Sequence, residues 1–203
     1  MTMRTKGGEI MDIKPIETVY NGYRFRSRLE ARWAVFFDKA GIEYEYELDG
    51  FILKNGTRYL PDFFLPQFDI FVEIKANPDI DDYKWLHFAF EYTRLNQDKV
   101  NGIICCYGDP MNNNIHYMTE CLASPNDNHK GFYEDDCCFK CRDSDKEPFL
   151  IMNNTLDPTT VFGPTKNAWR IIGNPDIYSN YEAEKRFARQ ARFEYGETPK
   201  VRR

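Results

Sequence analysis

Asp62 follows Pro61, and after ten intervening residues comes Glu73-Ile74-Lys75. Glu73 and Lys75 are two apart in an apolar, β-branched run, so on a strand their side chains share one face while Val72 and Ile74 point to the other. Asp62 sits where a strand breaks at a proline. Two carboxylates and a lysine then converge beside a sheet edge. Carboxylate oxygens with water suit Mg²⁺, a hard cation that keeps several waters, and Mn²⁺ fits the same ligands. Such an ion polarises a phosphate oxygen and lowers the pKa of bound water. Lys75 is placed to orient or deprotonate the attacking water, or to offset charge in the transition state. The plain alternative is a solvated strand face carrying Glu73 and Lys75 opposite a buried one.

Basic residues gather at two further places. Arg24, Arg26, Arg28 and Arg32 crowd the start of a helical segment and are candidate phosphate contacts. Arg28 and Arg32 are four apart and repel on a solvated helix unless an anion sits between them. Lys185, Arg186, Arg189 and Arg192 recur at three- and four-residue steps, a basic stripe that either tracks a nucleic-acid backbone or is simply solvated. Cys138-Phe139-Lys140-Cys141 has the spacing of half a zinc knuckle, with Cys121, Cys137, His116 and His129 as irregularly spaced partners. Free, reduced thiols are the default for these cysteines. Tyr20, Tyr23, Tyr44 and Tyr46 are placed to stack on unpaired bases, although strand tyrosines usually pack.

These residues need elements to hold them. From Ser27 to Ala40 the apolar residues Leu29, Trp33, Phe36 and Phe37 follow helical spacing. Ser27 with Glu30 three residues later is a capping-box signature, and Gly41 ends the helix. Residues 43–48 alternate at period two. Asn55-Gly56 between short apolar runs signals a hairpin. Residues 63–65 and 69–75 supply the next strands, residues 79–98 a second helix, and Val100 to Tyr107 a buried strand. The order is helix, strands in a meander, helix, strand. Between Gly108 and about Asn174 the periodicity fades, with short strands expected only near Ile115–Met118 and Phe149–Met152. Residues 178–195 return to helix.

The chain has 203 residues and a net charge of −5, unevenly spread. Residues 1–32 carry seven Lys/Arg against four Asp/Glu, residues 183–203 seven against three, and residues 33–182 thirteen against twenty-five. An acidic whole speaks against a passive nucleic-acid coat, but it allows an enzyme with basic ends and a cation in an acidic centre. No apolar run reaches the roughly 20 residues of a membrane span. The first residues lack the apolar stretch of a secretory signal, so a cytoplasmic location is expected, that of a host cell if the chain is phage-encoded.

The sequence Leu60-Pro61-Asp62-Phe63-Phe64-Leu65 followed by Val72-Glu73-Ile74-Lys75, in this order of elements, resembles the PD-(D/E)xK nuclease superfamily. The segment from Tyr23 to Ala34 (YRFRSRLEARWA) and the tail from Ala188 to Glu197 look like a phage and bacterial branch of it. The resemblance covers residues 20–107 well and 183–197 moderately. It implies an α/β nuclease core, a mixed central sheet flanked by helices, with an irregular insertion and a C-terminal helix. The layout is an arm at 1–19, the core at 20–107, the insertion at 108–177 and a closing basic helix and tail at 178–203. It further implies Mg²⁺-dependent cleavage of DNA as an endonuclease. Asp62 and Glu73 would ligate the metal, the Ile74 carbonyl would be a further ligand, Glu30 would be the helical acid and Lys75 would act on the water. The branch often carries a CPxCG-like turn, where this chain keeps both cysteines but has Arg142 in place of Gly. Rival readings are a nuclease fold kept as a non-catalytic binding module or inhibitor of a host or phage defence protein, an RNA-directed nuclease, and a structural component of a larger complex.

Overall fold

Helix α1 runs from Arg28 to Ala40, and both of its ends follow from local chemistry. Ser27 is extended at φ −141° and ψ 157°, and its hydroxyl oxygen accepts the Glu30 N–H. At the other end Gly41 sits in the left-handed region at φ 70°, where a side chain would be strained. Ala31, Trp33, Ala34, Val35, Phe36 and Phe37 are all buried, so nearly the whole circumference of α1 is covered. Truncating Phe36 or Phe37 to Ala would cost about 3–5 kcal/mol.

The computed structural model describes residues 16–77, 84–93, 102–112, 114–120, 132–142, 148–152, 160–162, 169–171 and 178–193. Ahead of α1, β1 (Thr18–Tyr20) and β2 (Tyr23–Phe25) form a hairpin. Its two turn residues, Asn21 and Gly22, both have positive φ, the geometry that matches strand twist. After α1 come β3 (Glu45–Tyr46), β4 (Phe51–Ile52), β5 (Arg58–Tyr59), β6 (Phe63–Leu65) and β7 (Ile70–Lys75). The β4–β5 pair closes over Asn55-Gly56 as a separate hairpin. Then follow α2 (Lys84–Phe88), continued by a π-turn over Ala89–Thr93, and β8 (Gly102–Tyr107). β6 pairs antiparallel with both β3 and β7, and β7 pairs parallel with β8. A parallel pair needs a crossover, and α2 lies on it.

Alternation along β7 and β8 sends side chains to two cores. Ile70, Val72, Ile74, Ile104 and Cys106 pack with α1 on one face. Phe71, Ile103 and Cys105 pack with Trp85, Phe88 and Ala89 of the α2 segment on the other. The chain ends, among the described residues, with α3 (Glu182–Gln190) laid on α1. Tyr181 meets Phe36 edge-on, and the Lys39 ammonium sits 4.6 Å from the Phe187 ring centre. The α/β class is as expected. None of the described helices is long and apolar enough to cross a membrane.

In the segment expected to be an irregular insertion, most of the described residues form strands. It contributes β9 (Asn114–Glu120), β10 (Phe132–Arg142), β11 (Pro148–Met152), β12 (Thr160–Phe162) and β13 (Trp169–Ile171), while β14 (Tyr178–Asn180) takes the first residues of the stretch expected to be the closing helix, because they pair with β10. Together with the core strands these make a ten-stranded sheet in the order β13-β12-β11-β10-β9-β8-β7-β6-β3, with β14 joined to β10. The expected strands near Ile115 and Phe149 are present. The others leave little trace in the sequence because an antiparallel ladder is held by hydrogen bonds to its neighbours and need not show strict apolar alternation.

Candidate active site

The β6–β7 ladder runs up to the Phe63–Val72 pair. One step further stand Asp62 and Glu73, where the strand has broken at Pro61. Here the Asp62 side chain takes over from the backbone, and its Oδ2 accepts the Ile74 N–H at 2.7 Å. The Asp62 carbonyl in turn accepts the Glu47 N–H at 2.9 Å. Asp62 Oδ1 lies 2.6 Å from Arg26 Nη2, and Arg26 Nε lies 2.7 Å from Glu47. Glu47 holds a left-handed backbone at φ 48°, a conformation that costs free energy and clusters at functional sites.

Glu73 and Lys75 do share a face, but it is no solvated one. Glu73 is only 7% exposed. Lys75 Nζ lies 2.6 Å from Glu73 Oε1, and the Tyr59 hydroxyl donates to Glu73 Oε2 at 2.7 Å. The Tyr46 hydroxyl gives the same service to Glu30, donating to Oε2 at 2.6 Å. Glu30 Oε1 accepts the Ser27 hydroxyl, and Oε2 also accepts the Arg26 N–H. Glu30 is thus part of the cap and part of the acidic centre at once.

Electrostatics tie these groups together. Burial pushes the Asp62 carboxyl well above the usual carboxylate range, and the charges of Glu73 and Glu30 push it further, against the pull of the Ile74 N–H and Arg26. Burial works against the Arg26 charge, but Asp62, Tyr46 and Glu47 outweigh it and raise its pKa. Burial and Glu73 raise Tyr59, and burial and Glu30 raise Tyr46, so both phenols remain donors at neutral pH. The charges of Glu73 and Glu30 both act on buried Asp62, a repulsion that a cation bound beside them would relieve. Hard oxygen ligands of this kind suit Mg²⁺, which is usually held by one or two carboxylates and water. Among the described residues no group of three or more His, Cys, Asp or Glu side chains is placed as a ready metal-binding cluster.

The arginines divide into three environments. Arg24, on β2, pairs with Glu17 at 3.3 Å in the open and stands apart from the acidic centre. Arg26 is drawn into that centre. Arg28 and Arg32 meet Arg189 and Arg192 around one open cavity of about 730 Å³, completed by Gln190, Ala191 and Phe193. Lys185 does not belong to a surface stripe. It is 2% exposed, and burial lowers its pKa. The face of α3 that carries buried Tyr181 encloses Lys185 one turn later, and it has emerged from the core only by Arg189. Arg186 is exposed and lies outside the cavity lining.

A zinc site shared by Cys138 and Cys141 is corrected by geometry. Both lie on β10 in unbroken register with β11. Residues three apart on a strand project to opposite faces, and Cys141 packs beside Phe139 in the α1-side core. Cys105, Cys106, Cys138 and Cys141 are free thiols, and burial pushes Cys105 up to about 12. Cys121, His129 and the basic tail at 200–203 lie outside the described residues. Tyr23, Tyr44 and Tyr46 are packed around Phe63 and Phe25 in an aromatic cluster, so they serve the core rather than a stacking platform. Nothing in the sequence marks Tyr59, Glu47 or Asp109, and Tyr46 is marked there only as a stacking or packing residue, not as a partner of Glu30. The period-two alternation did place Tyr46, but nothing local ties Tyr59 to an acid fourteen residues away.

Compared with protein-family models, curated proteins and solved structures, the chain gives no match.

Proposed function

We propose that this chain is a metal-dependent endonuclease of the PD-(D/E)xK type that hydrolyses phosphodiester bonds of DNA. One observation carries the reading. Asp62 and Glu73 are buried side by side at the break between β6 and β7, with Lys75 bound to Glu73 and Glu30 of α1 in electrostatic reach. The order of α1, the β3–β6–β7 meander, α2 and the parallel β8 supports the same reading. Burying three acids and a lysine costs free energy that a merely structural strand end has no reason to bear.

Asp62 and Glu73, with Glu30 beside them, would hold Mg²⁺, which when bound supplies Lewis-acid chemistry at a phosphate oxygen. The rest falls to the chain itself. Tyr59 fixes the Glu73 carboxylate in one orientation, and Tyr46 does so for Glu30. Such outer hydrogen bonds keep oxygen ligands aimed. The Lys75 ammonium, held by Glu73, orients the attacking water and offsets the negative charge that grows on the phosphate. Arg26, paired with Asp62 Oδ1, opposes the burial that favours the neutral form of this acid, a role that a bound cation would strengthen.

A second reading rests on a different feature. Every carboxylate oxygen of Asp62 and Glu73 already has a partner within the chain, which is how a nuclease fold kept only for binding would neutralise its old centre. One experiment separates the two. Purified protein is incubated with supercoiled, linear and branched DNA, and with RNA, in Mg²⁺, in Mn²⁺ and in EDTA, beside Glu73→Gln. The nuclease reading expects DNA products with either metal and none in EDTA or with the variant. Cleavage that persists in EDTA, or equals wild type in Glu73→Gln, overturns it, and cleavage of RNA alone moves the substrate.

A further inference from the structure

The arginines of α1 and α3 are more than 150 residues apart in sequence, yet they face one cavity. Arg28 and Arg32, four apart on α1, share a helix face. Glu30 lies between them in sequence, but two residues on a helix correspond to a turn of about 200°, so Glu30 leaves α1 on the far side. The cavity is therefore separate from the carboxylate centre. Its lining holds four guanidinium groups, Arg28, Arg32, Arg189 and Arg192. Asp109 lies 3.5 Å from Arg189. Among the described residues Arg32 and Arg192 have no ion-pair partner, and Arg32 Nε is buried with no hydrogen-bond partner. A buried N–H left without an acceptor is costly, and so is gathering like charges. Both costs vanish if an anion with several acceptor oxygens occupies the cavity. Guanidinium forks match phosphate oxygens two at a time.

We propose that the cavity between α1 and the end of α3 seats a phosphate group of a nucleic-acid strand, apart from the phosphate at the carboxylate centre. The proposal rests on the nuclease reading for its choice of nucleic acid over another polyanion. The cavity also has a structural tie to that centre. Gly108 N–H donates to the Lys75 carbonyl at 2.8 Å, the Trp33 indole N–H donates to the Gly108 carbonyl at 2.9 Å, and Asp109, the next residue, reaches Arg189. A strand gripped at the cavity is thus held against the loop that follows β8, beside the end of β7. The phosphate is either an internal phosphodiester or the terminal phosphate of a strand end, and the two have the same recognition chemistry.

The test is binding by fluorescence anisotropy in EDTA, which keeps any substrate intact. Labelled DNA oligonucleotides with and without a 5′-phosphate are titrated against wild type, Arg189→Gln/Arg192→Gln, and Lys54→Gln, which removes one charge from an exposed turn elsewhere. The double variant should bind at least about tenfold more weakly, with a salt slope lower by roughly two, while Lys54→Gln matches wild type. A loss that needs the 5′-phosphate assigns the cavity to a strand end, and a loss independent of it assigns the cavity to an internal phosphodiester. Inorganic phosphate should raise the melting temperature of wild type more than that of the double variant, which reads the site without nucleic acid. Unchanged affinity and salt slope in the double variant overturn the proposal, as does polyglutamate binding as tightly as the oligonucleotides. The outcome is distinct from that of the nuclease reading. Arginine-dependent binding without any cleavage in Mg²⁺ keeps the cavity and removes the nuclease, whereas cleavage with an indifferent double variant does the reverse.

Discussion

The acidic centre and the arginine cavity lie on either side of the first turn of α1, and they are built on opposite principles. At the centre each acid is buried and tied down. Glu73 is held by Lys75 and Tyr59, Asp62 by the Ile74 N–H and Arg26, and Glu30 by Ser27 and Tyr46. These groups stand on strands or on a capped helix end, where the backbone sets their direction. In the cavity the charges are carried by long side chains at helix surfaces, and the Arg189 side chain is 64% exposed. A buried, hydrogen-bonded acid loses most of its value when it moves by an ångström. An exposed guanidinium acts mainly through charge and tolerates small displacements. Substitutions should therefore fall off steeply at one site and in shallow steps at the other.

The largest effect is expected at the acids. Glu73→Gln keeps the shape but should lower single-turnover cleavage by about a thousandfold, roughly 4 kcal/mol of barrier. A loss under tenfold would make Glu73 a structural acid and erase the contrast. Next comes the partner rather than the acid. Tyr59→Phe removes one hydroxyl from a buried position and should cost about 10–100-fold in activity or in metal affinity, read as a raised Mg²⁺ requirement. Wild-type Mg²⁺ dependence in this variant would show that Glu73 needs no orientation.

A third expectation concerns stability. Burial and the charges of Glu73 and Glu30 raise the folded pKa of Asp62 above its ordinary value of 3.8. The stability it contributes is full below that ordinary value and is lost as the pH climbs through the folded value. Asp62→Asn never ionises, so it should melt a few degrees above wild type at neutral pH, with a margin that narrows toward about pH 4. Scanning calorimetry across that range decides the matter. A variant less stable than wild type at pH 7 would mean that the Arg26 ion pair outweighs the burial cost. The smallest effect belongs to the cavity. Arg192→Gln alone should weaken DNA binding a few-fold, lower the salt slope by about one and leave the cleavage step untouched. A collapse of the cleavage rate at saturating DNA would show that the cavity shares the rigidity of the acidic centre.

Much of the centre could be read from local spacing. Ser27, Glu30 and Gly41 mark α1 because caps are short-range chemistry. Asp62 after Pro61, and Glu73 and Lys75 two apart in an apolar run, mark a strand break and a strand face because the period of a strand is fixed. Less could be read where partners are distant. The partnership of Tyr59 with Glu73 depends on the β4–β5 hairpin folding over β7. The pairing of Arg26 with Asp62 and Glu47 depends on β2 and β6 coming together. The sheet from β9 to β13 depends on neighbouring ladders rather than on its own periodicity.

The sequence by itself determined the class of the chain and the types of its chemical groups. An apolar helix face, alternating strands and paired acids express short-range sterics and solvation, which any local segment carries. Only the tertiary structure decided which groups meet. It buried Lys185 although its spacing placed it on a surface stripe, and it set Cys138 and Cys141 on opposite faces although their spacing suggested a pair. It also brought Arg28 and Arg32 to Arg189 and Arg192 across most of the chain. Packing settles such outcomes because burial and long-range contact are properties of neighbours in space, and neighbours in sequence do not specify them.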